Sequence, residues 1–478
     1  MKNSITLTVF LAIAISLISC SKPAEPGYQT LKGATIFDGN GNSIPNGIIV
    51  IKNGKIEAVG DESIPIPGNS AIIDLSGKFI TPGLIDAHVH FFQTGFFDSR
   101  PDALDIRDSI NYEELQDFVR TNPQRYFESY LRSGVTAVYD VGGFPWSLAL
   151  PKLAENNLNA PHVAASGPLL TPVPAERIVT FNTSKDTVMY SITSSEQGKR
   201  VVNNNHALGA TGIKIWSLNL KDSTFMTNLQ SVKTEIDRLG NKMIVHATTL
   251  DQATEALRLG AKVLVHSVGD TIVTKEFLAL AKGQNVIYCP TLIVSRGYYD
   301  AYRALKYGFQ YEDPNDVVDE RTKGLLNAST RFMKYWSSEQ YDIDEYLKRS
   351  DSYLKEREQI RATNLKLLYD AGITIAVATD AGNPGTLHGI SIYPEMNAMQ
   401  EAGVPPLDII TMATKNGALA MDRMDDLGTL EKGKIADLIV LEKDPSQTIE
   451  NMRSISHVMR SGLMRPVMEP FENTPDKK

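Results

Sequence analysis

Between Gly134 and Asp380 the chain alternates short apolar runs with segments of helical periodicity. The apolar runs are "GVTAVYDVG" (Gly134 to Gly142), "PHVAASG" (Pro161 to Gly167), "TGIKIWS" (Thr211 to Ser217), "NKMIVHATT" (Asn241 to Thr249), "AKVLVHS" (Ala261 to Ser267), "QNVIYCP" (Gln284 to Pro290) and "GITIAVATD" (Gly372 to Asp380). The segment Ile80 to His90 makes an eighth. Helical stretches such as Asp251–Leu259 and Lys275–Lys282 separate them. Near-continuous Val and Ile runs are what parallel strands buried on both faces require. Eight such strands alternating with helices over roughly 340 residues predict an α/β fold of the closed (β/α)8 TIM barrel type, here spanning residues 80–425.

The two ends have a different texture. Residues 28–79 read as short strands with turns, and "GIIVIKNGKIEAVG" pairs two of them around Asn53-Gly54, whose residue types favour the positive φ of a tight hairpin. Residues 426–467 return to this pattern in "KGKIADLIVLEKDP" and "HVMRSGLMRPV", ahead of a tail at 468–478. Both ends are therefore expected to build one small β-sandwich together. Between the seventh and eighth runs, residues 296–355 form a tyrosine-rich, charged insertion with helical periodicity. Insertions of this length after a strand serve as lids or binding walls; the alternative is a helical prop packed on the barrel.

The first residues, "MKNSITLTVFLAIAISLISCSKPAEPG", place one lysine before an apolar run from Ile5 to Ile18. This is the pattern of a secretory signal over residues 1–20, with a linker over 21–27. Its end, "LISC", resembles the lipobox of bacterial lipoproteins, which implies lipidation of Cys20 and an exported chain tethered to a bacterial membrane, facing the periplasm or the cell surface. A plain signal-anchor helix is the other reading, although the run is shorter than the ~20 residues that usually span a bilayer. After processing, Cys289 would be the one remaining thiol, so no intramolecular disulfide forms. A chain of 478 residues with 42% hydrophobic and 22% charged residues has ordinary globular composition. Its net charge of −8 lacks the concentrated basic surface that nucleic-acid binding needs.

Only eight histidines occur, and two lie in "LIDAHVH". In a strand His88 and His90 point to one side, where two imidazoles can share a divalent cation. His246 and His266 each end an apolar run, Asp380 ends the eighth, and Lys214 lies within "GIKIW". Barrel active sites form at this C-terminal rim, so the six side chains converge on one candidate metal site. His162 starts a strand at the opposite end, His206 lies on an expected helix and His457 belongs to the small β-domain; all three are read as structural.

"TPGLIDAHVH", "GIKIW", "VHATT", "VHSVGD", "TDAG" and "LGTLEKGKIADLIVLEKDP" together resemble the amidohydrolase superfamily, and most closely its imidazolonepropionase-like and Xaa-Pro dipeptidase-like members. The resemblance implies that His88, His90 and Asp380 hold one metal and His246 and His266 a second, bridged by Lys214 as a carbamate. It implies two zinc ions, or one if Lys214 is not carboxylated. Such a cation lowers the pKa of water towards ~7. Asp380 is then suited to take the proton and pass it to the leaving nitrogen. Tyr288 is a candidate contact to substrate, and so is His388, for which loop packing is the alternative. Where the family often has Arg, this chain has Tyr139. The implied activity is hydrolysis of a C–N bond in a small, dipeptide-like, N-acyl or cyclic amide substrate, with the membrane touched only through the anchor and a homo-oligomer left open. Two alternatives remain: a one-metal deaminase of the same superfamily, and a lipid-anchored binding protein without turnover.

Overall fold

Gly83 divides the first expected strand in two. The residues before it form β5 (Phe79–Pro82) and those after it β6 (Leu84–Val89), which belong to different sheets. A β-carbon at Gly83 would lie 2.1 Å from Oγ1 of Thr136, so only glycine lets the chain pass this point. The expected single strand from Ile80 to His90 is thus corrected: it is a crossing between two layers. The computed structural model describes residues 27–337 and 342–471. The expected signal and Cys20 lie outside the described residues, as do the last seven residues of the tail.

On the terminal side, β1 (Gln29–Phe37), β2 (Ser43–Lys52), β3 (Lys55–Gly60), β4 (Ala71–Asp74) and β5 join β16 (Leu438–Leu441), β17 (Ile455–Arg460) and β18 (Leu463–Pro466). The order is β18-β17-β16-β5-β1-β2-β3, with β4 also on β1. The two chain ends meet where β16 pairs antiparallel with β5. One edge of β1 serves two strands, β4 against Gln29 to Lys32 and β5 against Thr35 and Ile36. Asn53 and Gly54 turn the β2–β3 hairpin with φ of 53° and 76°, as their residue types require. Leu31, Ile36, Ile49, Leu438 and Met459 are buried in this sheet's own core.

The remaining strands are parallel. One sheet runs β6-β7-β8, with β7 at Val135–Asp140 and β8 at His162–Ala165. The other contains β9 (Leu169–Thr171), β10 (Met189–Ser191), β11 (Gly212–Ile215), β12 (Lys242–His246), β13 (Val263–Val265), β14 (Ile287–Cys289) and β15 (Thr374–Ile375), in the order β10-β9-β11-β12-β13-β14-β15. Hydrogen bonds connect the two sheets at both seams: Ala87 donates to Val377 at 2.9 Å and Asp380 to His88 at 2.8 Å, while Thr211 donates to Ala165 at 2.9 Å. All eight expected segments carry a strand. The last keeps only two residues of regular ladder, because beyond Ile375 the chain bonds singly to β6 rather than in register. Strands β9 and β10 were not expected; they are three residues long, and Pro168, Pro172 and Pro174 flank β9 with residues that cannot donate to a ladder.

The insertion is helical, at Val294–Tyr307, Glu320–Asn327 and the start of a 28-residue helix, Ile343–Asp370. Its far part is a prop: Leu305, Leu326 and Phe332 pack against Phe96 and Phe97 of the loop after β6. Its near part faces a cavity described below.

An ionic cluster, buried at His162, Asp437 and Arg460 and open to solvent at Glu155, fastens the terminal sheet to β8. His162 Nδ1 lies 2.6 Å from Glu155 and its Nε2 3.0 Å from Asp437. Arg460, 2% exposed, reaches the same ring at 3.0 Å, and Arg423 reaches Glu155 at 2.7 Å. Burial opposes ionisation of Glu155, but His162 and Arg423 outweigh it and hold the carboxyl down to about 2, from 4.5. Because the folded pKa is the lower one, this stabilisation is complete above pH 4.5 and is lost as pH falls towards 2. Glu155→Gln is expected to lower the melting temperature at neutral pH by a few degrees and to flatten the acid limb of stability between those two values. Thermal melts across that range check this, and parallel acid limbs for the two proteins would refute it.

Candidate metal centre

Alternation along β6 sends Asp86, His88 and the following His90 to one side, towards the end of the sheet where β15 ends. The Nε2 atoms of His88 and His90 lie 3.2 Å apart. Asp380 Oδ1 is 3.4 Å from the first and 3.1 Å from the second. His90 Nδ1 meets the carbonyl of Gly142 at 2.7 Å. A carbonyl only accepts, so this nitrogen carries the hydrogen, and in the neutral ring Nε2 presents a bare lone pair to a carboxylate oxygen. Asp380 Oδ1 is buried and has no hydrogen-bond partner. Two acceptors held together away from water repel unless a cation or proton sits between them. Ligand atoms of His88, His90 and Asp380 all fall within 4.8 Å of one another, a set that fits a divalent metal.

His246 and His266 adjoin this group without closing on it. Their rings are 4.3 Å apart, and the His266 ring is 5.2 Å from that of His88. Thr291 Oγ1 holds His266 Nδ1 at 2.8 Å. His266 and Asp380 both adopt left-handed backbone, at φ of 74° and 60°, which costs a residue with a side chain roughly 1–2 kcal/mol. Lys214 sits beside them, 1% exposed. Burial, only partly offset by Asp380, pushes its ammonium down to about 7. Burial, and then the charge of Lys214, also hold His88 well below the ordinary imidazole range and His246 at about 3. Neutral imidazoles are the form in which histidine ligates metals. All six side chains expected from sequence are thus gathered in one place.

Supporting residues escaped the sequence reading. Asp86 accepts from the Thr379 amide at 3.0 Å and its hydroxyl at 2.5 Å, tying the histidine strand to the residue before Asp380. Burial raises this carboxyl to about 7. The available signal was a carboxylate at an inward strand position, two residues before His88.

Two expected substrate contacts are elsewhere. Tyr288 is buried, and its hydroxyl accepts from the Val268 amide at 2.9 Å. His388 bonds Tyr130 at 2.7 Å and the Gln93 carbonyl at 2.9 Å, with its ring 3.9 Å from that of Tyr126. Neither residue lines the cavity over the metal group, and the loop-packing alternative describes His388. The reason is that both polar tips are already satisfied by the backbone and side chains that position them.

That cavity, of about 230 Å³, has His90, Lys214, His246, His266 and Asp380 on its floor. Leu169, Phe181, Val188, Met189 and Trp216 supply an apolar wall, and Val294, Ser295 and Tyr298 bring in the near part of the insertion. Two arginines, Arg100 and Arg361, also line it.

The sequence model of the amidohydrolase family matches residues 79–309 and 326–464. An imidazolonepropionase of Aromatoleum aromaticum is 26% identical over 406 residues, covering 83% of this chain and 85% of that protein. Among solved structures, a Xaa-Pro dipeptidase with bound methionine in its active site is 21% identical with a TM-score of 0.68, over 92% of this chain and all of that one. Molinate hydrolase is 20% identical with a TM-score of 0.65, over 94% of this chain and 99% of its own. With its parallel sheets, its His88–His90–Asp380 group and a family match over most of its length, the chain belongs to the amidohydrolase family.

Proposed function

We propose that the chain is a two-zinc hydrolase of amide bonds in small, dipeptide-like or N-acyl substrates. The observation that carries this reading is the convergence of ligand atoms from His88, His90 and Asp380 within 4.8 Å of one another, around an Asp380 oxygen that accepts no hydrogen bond. His246, His266 and a carboxylated Lys214 would complete a second position. The chemistry that cations supply there is Lewis acidity, which brings hydroxide within reach at neutral pH and polarises a carbonyl.

The chain's own residues supply the rest. Burial brings Lys214 to about 7, so that near neutral pH a large share of it is the free amine, which can add its nitrogen to carbon dioxide; one N–C bond forms, one proton leaves, and the neutral amine becomes an anionic oxygen ligand. Asp380, with an oxygen free of hydrogen bonds, receives a proton and returns it to the leaving nitrogen. Asp86 and Thr291 hold ligand strands and rings in place. The apolar wall excludes water from the reacting amide.

The architecture we infer is a closed eight-stranded barrel over residues 80–425, supported by the hydrogen bonds at both seams. The split edge of β1 supports folding of the terminal sheet, from 28–79 and 426–467, into a sandwich. The apolar run before Cys20 supports export and lipid anchoring. A deaminase reading is disfavoured by Lys214, which a one-metal centre would not need.

Removing metal with a chelator is expected to abolish hydrolysis across a panel of dipeptides and N-acyl amino acids, and added zinc to restore it; a binding protein would hydrolyse nothing in either state. Lys214→Ala is expected to reduce bound metal from two ions per chain to one, by elemental analysis, and to remove a mass equal to one carbon dioxide from the intact native protein. Asp380→Asn is expected to lower kcat by about 10²–10⁴-fold with the fold kept by circular dichroism.

A further inference from the structure

Of the two guanidinium groups at the cavity, one is neutralised and one is not. Arg100 donates from Nε and Nη2 to the two oxygens of Asp102, each at 2.8 Å, and from Nη1 to Asn383. Its plane also faces the rings of Phe181 and Tyr298, at 5.7 and 5.5 Å. Arg361 donates from Nη1 to Ser295 Oγ at 3.0 Å, and among the described residues no carboxylate forms an ion pair with it within 4.0 Å. The acidic groups around it are committed elsewhere. Glu358, on the same helix, gives both oxygens to Arg296 at 2.9 Å. Buried Glu395 accepts from the amides of Leu292 and Ile293 at 2.9 and 3.1 Å.

The position of this unpaired group is built. A β-carbon at Gly269 would lie 2.9 Å from Nε of Arg361, so glycine in "HSVGD" makes the space the guanidinium occupies. One turn further along the helix, buried Asn364 donates to the carbonyls of Val268 and Thr271 at 2.9 Å each and accepts from the Val273 amide at 2.8 Å. These three bonds set the register of the helix against the loop that carries His266. Burial lowers the pKa of Arg361, and the charge of Glu358 offsets this only in part. A guanidinium taken from water without an ion-pair partner is a standing cost that an anionic ligand reduces.

We propose that Arg361, with Ser295, anchors a carboxylate of the substrate, making the enzyme selective for N-acyl amino acids and dipeptides that keep a free carboxylate. The selectivity for turnover rests on the hydrolase reading above; the binding of the anion does not. A carboxylate matches the fork of a guanidinium and takes charge-assisted bonds from it. The substrate amide then lies over the imidazole floor and an apolar group lies against Phe181, Met189 and Trp216. A cavity of about 230 Å³ suits a ligand of that small size.

The test uses 4-phenylbutanoate and 4-phenylbutan-1-ol, neither of which can be hydrolysed, titrated calorimetrically into the metal-loaded full chain. The acid is expected to bind about tenfold or more tightly than the alcohol, and Arg361→Met to remove that advantage while leaving alcohol binding and the melting temperature unchanged. Arg361→Lys is expected to keep part of the advantage, and Gly269→Ala, which displaces the guanidinium without deleting it, to weaken the acid alone. If Arg361→Met is destabilised, these two variants decide. Equal binding of acid and alcohol, or acid binding that none of the variants alters, overturns the proposal. In turnover, kcat/KM for Ala-Phe is expected to exceed that for Ala-Phe amide, with the difference lost in Arg361→Met. Acid binding through Arg361 without hydrolysis of any dipeptide would keep the subsite and remove the hydrolase reading; equal hydrolysis of free and amidated peptide would do the reverse.

Discussion

Buried lone pairs crowded together are the constraint on which this molecule turns. Imidazole nitrogens of His88 and His90 and an oxygen of Asp380 face one another at 3.1–3.4 Å. Asp380 Oδ1 accepts no hydrogen bond, and His90, whose Nδ1 donates to the Gly142 carbonyl, turns a bare nitrogen towards it. The strands that carry them must therefore be locked against drifting apart. Asp86 and Thr379 lock β6 to the last segment, and Thr291 fixes the His266 ring. Left-handed backbone at His266 and Asp380 adds local strain at the same rim. Such strain persists only where the surroundings over-determine the conformation, and here the parallel sheets do so.

Much of this was legible in the sequence, for identifiable reasons. Parallel strands buried on both faces leave apolar runs that are hard to mistake, and all eight such runs carry strands. A polar residue at the end of an apolar run has few reasons to be there, which is why His246, His266 and Asp380 stood out together with Lys214. What stayed hidden depended on contacts between distant segments. Gly83 splits one run between two sheets because Thr136 occupies the space a side chain would need, and nothing near Gly83 announces Thr136. Strands β9 and β10 are too short, and β9 too closely flanked by proline, to show a period. Tyr288 and His388 had the right chemistry and neighbourhood in the sequence, but their polar atoms point into bonds that only the fold reveals. Arg361 lay past the end of the insertion, among the many charged residues of a helical stretch, where a solvated face is the ordinary reading.

The insertion divides its labour along its length. Far from the centre it is a prop, in which Leu305, Leu326 and Phe332 bury Phe96 and Phe97 of the loop after β6. That loop also carries Phe92 into the cavity and Phe91 into the aromatic packing around His388. One stretch of aromatic residues thus joins the prop, the pocket wall and the core. The apolar wall from residues 169–189 stands apart from both, on a segment whose short strands contribute little ladder of their own.

The helix Ile343–Asp370 runs directly into the segment that ends at Asp380, and Asn364 fastens it to the turn after His266. Within some twenty residues the chain therefore holds Arg361, the fastening amide and the carboxylate of the His88–His90–Asp380 group. The amide of Asn364 thus sets, from a single stretch of chain, where the cavity's cationic side and its acidic floor stand relative to the loop of His266.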